Sequence, residues 1–272
     1  RIGLEGLAPA STGTRTPVNV ALVVDRSGSM EDENKIGAAR EAALMGLGRL
    51  GRDDIAAVVA YNHEVEVLLP ATRLLDLSEI TGSIGRLTAD GNTALYAGTE
   101  QGLQEALKFL DRGRVNRVIL ISDGLANVGP SSPQEVAELG RRAAAKGISI
   151  TTIGLGLGYN EDLMAKLAYA SDGNHAFVER ADQLVKIFDR EFGDVLSVVA
   201  QELIIKIDCH DGFKPLRALG REAEIKGSTI TARLNQLYGK QQKYIVVELE
   251  VPEDIRAGDI DEAEIERVEG RL

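Results

Sequence analysis

Residues 18–30, VNVALVVDRSGSM, constrain the chain more than any other stretch. The first part is apolar and β-branched, the composition of a strand buried on both faces, as in a parallel sheet. It then turns polar within a few residues: Asp25, Ser27 and Ser29, with Gly28 between the serines. A carboxylate and two hydroxyls therefore fall on a tight loop at the carboxyl end of a buried strand. Open α/β sheets bind their ligands there.

The rest of the chain supplies such a sheet. In residues 31–51, Ile36, Ala39, Ala43, Leu44, Leu47 and Leu50 recur at helical spacing behind an acidic start, and Gly51 closes the helix. Residues 54–60 read as a second buried strand. Residues 64–69 read as a third, antiparallel to it, because Asn62 and His63 suffice for a hairpin and not for a crossover. Helices are expected over 78–87, from Thr93 to about 110, and over 133–146, 160–170 and 181–199. Further strands are expected at 115–122, 148–153 and 175–178. This alternation predicts an α/β fold with a doubly wound, mostly parallel sheet and one antiparallel edge strand. Beyond residue 200 the helices stop. ELIIKIDCH, FKPLRAL, STITARL and QKYIVVELEVP read as strands of a smaller antiparallel β-domain, and residues 258–272 suit strand or helix equally. The expected domains are 17–199 and 200–272. An edge strand within residues 2–7 makes residues 1–10 a candidate addition to the second.

Composition narrows the function. With 44% hydrophobic and 27% charged residues the chain is a folded one. A net charge of −11 argues against nucleic acid as a partner. No apolar run is long enough for a transmembrane segment. No signal peptide is visible, and because the chain begins at Arg1 this says nothing of its compartment. Cys209 alone forms no internal disulfide and reads as a small buried hydrophobe.

Two further loops carry oxygen side chains at strand or helix ends. TADGNTAL places Thr93 at the mouth of a helix, and VILISDG ends a strand at Asp123. If strands 18–25 and 115–122 are neighbours where the strand order reverses, Asp25, Ser27, Ser29, Thr93 and Asp123 meet in one crevice. Two carboxylates and three hydroxyls suit a hard cation, Mg²⁺ first, with Mn²⁺ or Ca²⁺ as substitutes. Ser-Gly-Ser alone is a common turn and Asp after a strand a common helix cap, so the ordered set of five carries the signal rather than any member. That set resembles the von Willebrand factor A domain family and its metal-ion-dependent adhesion site, D-x-S-x-S followed by Thr and then Asp. The likeness covers roughly residues 17–199, and the β-rich tail is similar to bacterial relatives of the chloride-channel and inter-alpha-trypsin-inhibitor groups.

The resemblance implies a Rossmann-like fold in which Ser27, Ser29 and Thr93 coordinate the metal. Asp25 and Asp123 would hold it directly or through water, and a partner protein's Asp or Glu would complete it. It implies a non-enzymatic binding or adhesion module, with an extracytoplasmic setting. The alternative is a Mg²⁺-assisted hydrolase or phosphoryl-transfer enzyme in the same crevice. Against it, Ser27 stands where a second aspartate of a nucleophile loop would be, and no G-x-S-x-G elbow surrounds either serine. Gly154–Gly158 lacks the second half of a dinucleotide fingerprint and reads as a permissive turn. His63, His175 and His210 are scattered and read as surface or capping residues. Gly98 and Gly102 read as a close-packing face.

Overall fold

The computed structural model describes residues 2–7, 15–73, 78–209, 212–219, 223–252 and 267–271. In chain order these form β1 (Ile2–Glu5), β2 (Val18–Asp25), α1 (Lys35–Gly48), β3 (Ile55–Tyr61), β4 (Val65–Arg73), α2 (Ser78–Gly85), α3 (Leu95–Lys108), β5 (Val115–Ser122), α4 (Pro133–Ala144), β6 (Ile148–Leu155), α5 (Glu161–Ala170), β7 (His175–Val178) and α6 (Leu184–Leu196). The strands β8 (Val198–Asp208), β9 (Lys214–Leu219), β10 (Ala223–Lys226), β11 (Thr229–Tyr238), β12 (Gln242–Glu250) and β13 (Arg267–Arg271) follow. The chain divides into two compact units, residues 14–196 and residues 1–13 with 197–272.

The α/β unit is built on a six-stranded sheet of order β4-β3-β2-β5-β6-β7. Every pairing is parallel except β3 with β4, as the two-residue hairpin signal required. The strands β2, β3, β5 and β6 are buried at every position, which is why they read as continuous apolar runs. From β2 the chain crosses to β3 on one side and later returns to β5 on the other. The order thus reverses between β2 and β5, so the loops after these strands part to opposite faces and leave a crevice at their carboxyl ends. At the opposite end, buried Asp54 accepts hydrogen bonds from Val18 N at 2.9 Å and Gly51 N at 2.6 Å, and pairs with Arg15.

The glycines of α3 let it lie close on the sheet. A Cβ on Gly98 would come 2.4 Å from the Tyr61 ring, and one on Gly102 would come 2.3 Å from Val23 Cγ2. The second unit holds a three-stranded sheet, β1-β12-β9, and a four-stranded one, β10-β11-β8-β13, both antiparallel. Cys209 is half-buried against this unit's apolar cluster rather than fully enclosed.

Several boundaries differ from the sequence expectation, with β4 running on to Arg73 and β11 to Tyr238. α1 begins at Lys35, because Glu33 and Asn34 both take left-handed backbone angles, φ 51° and 57°, and break the expected run from Glu31. α6 ends at Leu196, and the β-branched pair Val198–Val199 opens β8 instead of extending the helix. Within residues 258–272, only 267–271 are described, as strand. His210 lies outside the described residues.

Candidate metal centre

Asp25 ends β2 with no exposed surface. Its Oδ1 accepts the Ser27 backbone N–H at 2.8 Å, which folds the loop back over the strand end. Its Oδ2 accepts the Ser122 hydroxyl at 2.5 Å and the Tyr61 hydroxyl at 3.3 Å. These donors end the two strands flanking β2, so the sheet register itself fixes the carboxylate. Burial pushes the Asp25 carboxyl up to about 6, against the hydrogen bonds from Ser122 and Ser27 that pull it down. Burial, reinforced by the Asp25 charge, likewise raises the Tyr61 hydroxyl well above its usual range, so it stays a donor.

The loop after Asp25 is tied to the loop before α3. Arg26 N donates to Tyr61 O at 2.7 Å, Asp90 N to Arg26 O at 2.8 Å and Gly28 N to Gly91 O at 2.9 Å. Buried Asn62 steadies the same turn, donating to Asp90 O at 3.0 Å. Thr93 is held through its backbone rather than its hydroxyl. Its N–H donates to Asn127 Oδ1 at 2.8 Å, and its carbonyl accepts from Asn127 N and Val128 N at 3.1 and 3.2 Å. Thr93 is 3% exposed and Asp123 5% exposed.

The hydroxyls and carboxylates converge. Ser27 Oγ lies 3.3 Å from Ser29 Oγ, which donates to Asp123 Oδ1 at 2.8 Å. A Cβ on Gly124 would lie 2.9 Å from Thr93 Oγ1 and 3.2 Å from Asp25 Oδ2. Glycine at 124 therefore lets the threonine and the first aspartate approach the loop after β5 more closely than any side chain there would allow. All five side chains singled out from the sequence lie together at the ends of β2 and β5 and before α3. Sequence reasoning missed Tyr61, Ser122 and Asn127, which hold the site rather than form it, and Lys35, whose Nζ bonds Asp123 Oδ2 at 2.7 Å. The signal for Tyr61 and Ser122 was their position at strand ends flanking β2.

Among the described residues no three His, Cys, Asp or Glu side chains gather around one point. An ion in the crevice would therefore depend on hydroxyl oxygen as well as two carboxylates, which suits a hard cation. His175 is far from a surface ornament: half-buried, it bridges Thr152 Oγ1 and the Tyr159 hydroxyl at 2.9 and 3.0 Å. Gly154–Gly158 is a turn closed by Gly156 N donating to Val178 O, with Gly156 at φ +72°.

Comparison with known proteins agrees with this architecture. The chain is 28% identical over 191 residues to the uncharacterized protein YfbK of Escherichia coli (strain K12), covering 70% of this chain and 33% of that one. It is 29% identical over 173 residues to inter-alpha-trypsin inhibitor heavy chain H3 of Homo sapiens, covering 60% of this chain and 19% of that one. The chain thus spans a third or less of either relative. The solved structure of a von Willebrand factor type A protein from Catenulispora acidiphila superposes with a TM-score of 0.74 at 18% identity. It covers 87% of this chain and 58% of that one, a likeness of fold. The family model for the von Willebrand factor type A domain matches residues 19–190, and the chain belongs to that family.

Proposed function

We propose that the protein is a divalent-cation-dependent protein-binding module. Ser27, Ser29 and Thr93, with Asp25 and Asp123, would hold Mg²⁺, or Mn²⁺ or Ca²⁺ in its place. An Asp or Glu of a protein partner would complete the site. Such a cation would supply a fixed positive charge for that carboxylate, making the contact charge-assisted and directional. Domains of this family typically serve protein–protein interaction or adhesion.

The observation that carries the reading is the convergence at Gly124, whose lack of a Cβ lets Thr93 Oγ1 and Asp25 Oδ2 approach one point beside the Ser27–Ser29–Asp123 chain. Every oxygen in that set is hard, and the few protein donors leave positions for water and for a partner. Tyr61 and Ser122, both wholly buried, keep Asp25 oriented.

Titration calorimetry of Mg²⁺, Mn²⁺ and Ca²⁺ into metal-stripped protein tests this. Saturable binding in the wild type that Asp25→Ala abolishes is the expected result. Equal binding by both proteins, or none by the wild type, overturns the reading. Mg²⁺-dependent turnover of phosphate esters that Asp25→Ala removes would instead place hydrolytic chemistry in the crevice.

A further inference from the structure

Lys35 stands where helix physics disfavours it. It is the first residue of α1, at the positive end of the helix dipole, where acidic side chains are preferred. The acidic run Glu31, Asp32 and Glu33 precedes it, with only Asn34 between. Had the helix started there, its first turn would have been acidic, but the left-handed angles at Glu33 and Asn34 turn the chain and make Lys35 the opening residue.

The ammonium has a specific destination. Lys35 Nζ lies 2.7 Å from Asp123 Oδ2 and 3.5 Å from the Ser29 carbonyl oxygen. The lysine side chain is 14% exposed and the aspartate's 1%. Its stem runs beside the glycine turn after β6: a Cβ on Gly156 would sit 3.5 Å from Lys35 Cε. Asp123 Oδ1 is already taken by the Ser29 hydroxyl. Both oxygens of the aspartate are thus satisfied by the chain itself, and one of the two negative charges of the crevice is balanced by an internal cation.

We propose that Lys35 is a tethered competitor of the divalent ion. Its ammonium holds Asp123 and Ser29 assembled when the metal is absent, and a metal engaging Asp123 must displace it. Lys35 thereby sets the concentration at which the site loads. This rests on the metal-binding reading above and adds its regulation. An ammonium and a divalent ion attracted to the same carboxylate oxygen repel each other at close range, so occupancy by one disfavours the other.

Lys35→Met keeps the stem and removes the charge, and Lys35→Arg keeps the charge. In titration calorimetry of the metal-stripped full chain, Lys35→Met is expected to bind Mg²⁺ ~10-fold tighter than wild type or more, since a close charge shifts such an equilibrium by an order of magnitude. Its metal-free form is expected to melt lower, because Asp123 loses its counter-charge. Lys35→Arg should stay near wild type.

If Lys35→Met does not fold, the wild-type lysine ε-CH₂ resonance assigned through Lys35→Arg decides the matter. A shift on saturating Mg²⁺ supports displacement, and an unmoved resonance overturns it. Wild-type binding with equal or weaker binding by Lys35→Met overturns the competition while leaving the metal site standing. No binding by either protein overturns the metal reading and this inference with it.

Discussion

Asp25 carries a charge in a place that resists it. It is wholly buried, and its carboxyl is pushed up to about 6 from 3.8. A folded-state value above the unfolded one means the stabilising contribution is full below pH ~4 and lost as pH rises through ~6. The gap between 3.8 and about 6 corresponds to ~3 kcal/mol. In metal-free protein, Asp25→Asn should therefore melt higher than wild type at pH 8, with the difference shrinking toward pH 4. Melting curves across pH in the presence of chelator check this, and parallel curves for the two proteins would contradict it. The same variant should gain no stability from Mg²⁺. The five oxygen side chains were legible because their order along the chain is a linear pattern. Tyr61 and Ser122 were not, since their bonds to Asp25 arise from register between strands separated by tens of residues. Lys35 was hidden by its context: beside Glu31, Asp32 and Glu33 it looks like one more charge on a solvated helix start.

At the scale of elements, α3 connects packing to chemistry. Gly98 gives room to the Tyr61 ring, whose hydroxyl donates to Asp25, while Gly102 gives room to Val23 in the core. Overpacking costs typically ~1–3 kcal/mol, so Gly98→Ala and Gly102→Ala should both lower the melting temperature. Only Gly98→Ala should also weaken Mg²⁺ binding, because it moves a ring that holds the aspartate. Thermal melts with and without Mg²⁺ separate the two, and equal metal responses would show that Tyr61 does not transmit the change. The buried strands were legible to within a residue or two, since uninterrupted apolar runs have few other homes. Helix ends were less so. The acidic start of α1 has good helical composition, but local left-handed geometry at Glu33 and Asn34 overrides it. β10 escaped notice because AEIK is short and half exposed.

At the scale of the molecule, the strand order decides where the crevice can be. Because β2 lies between β3 and β5, the three loops carrying the candidate ligands open on one end of the sheet. The position of the crevice followed from the sequence only conditionally, on β2 and β5 being neighbours, and that adjacency is a property of the whole sheet rather than of any segment. The acidic balance, −11, gives the molecule a field that attracts cations and repels other acidic molecules.

The pairing of β1 with β12 sets an order of events during synthesis. Ile2 faces Ile245, so β1 meets its partner roughly 240 residues later in the chain. At ribosomal speeds, the interval between completing residue 196 and completing β12 at Glu250 is roughly 3–10 s. The α/β unit can close in that time while β1 waits with bare backbone edges. Nascent chains stalled with residues up to 230 exposed should resist brief proteolysis within residues 15–196 and be cut near residues 2–7. Protection of residues 2–7 at that length would mean β1 is held by something other than β12. The sheet of β1, β12 and β9 would close only when a long-waiting strand is captured by one made roughly 240 residues later.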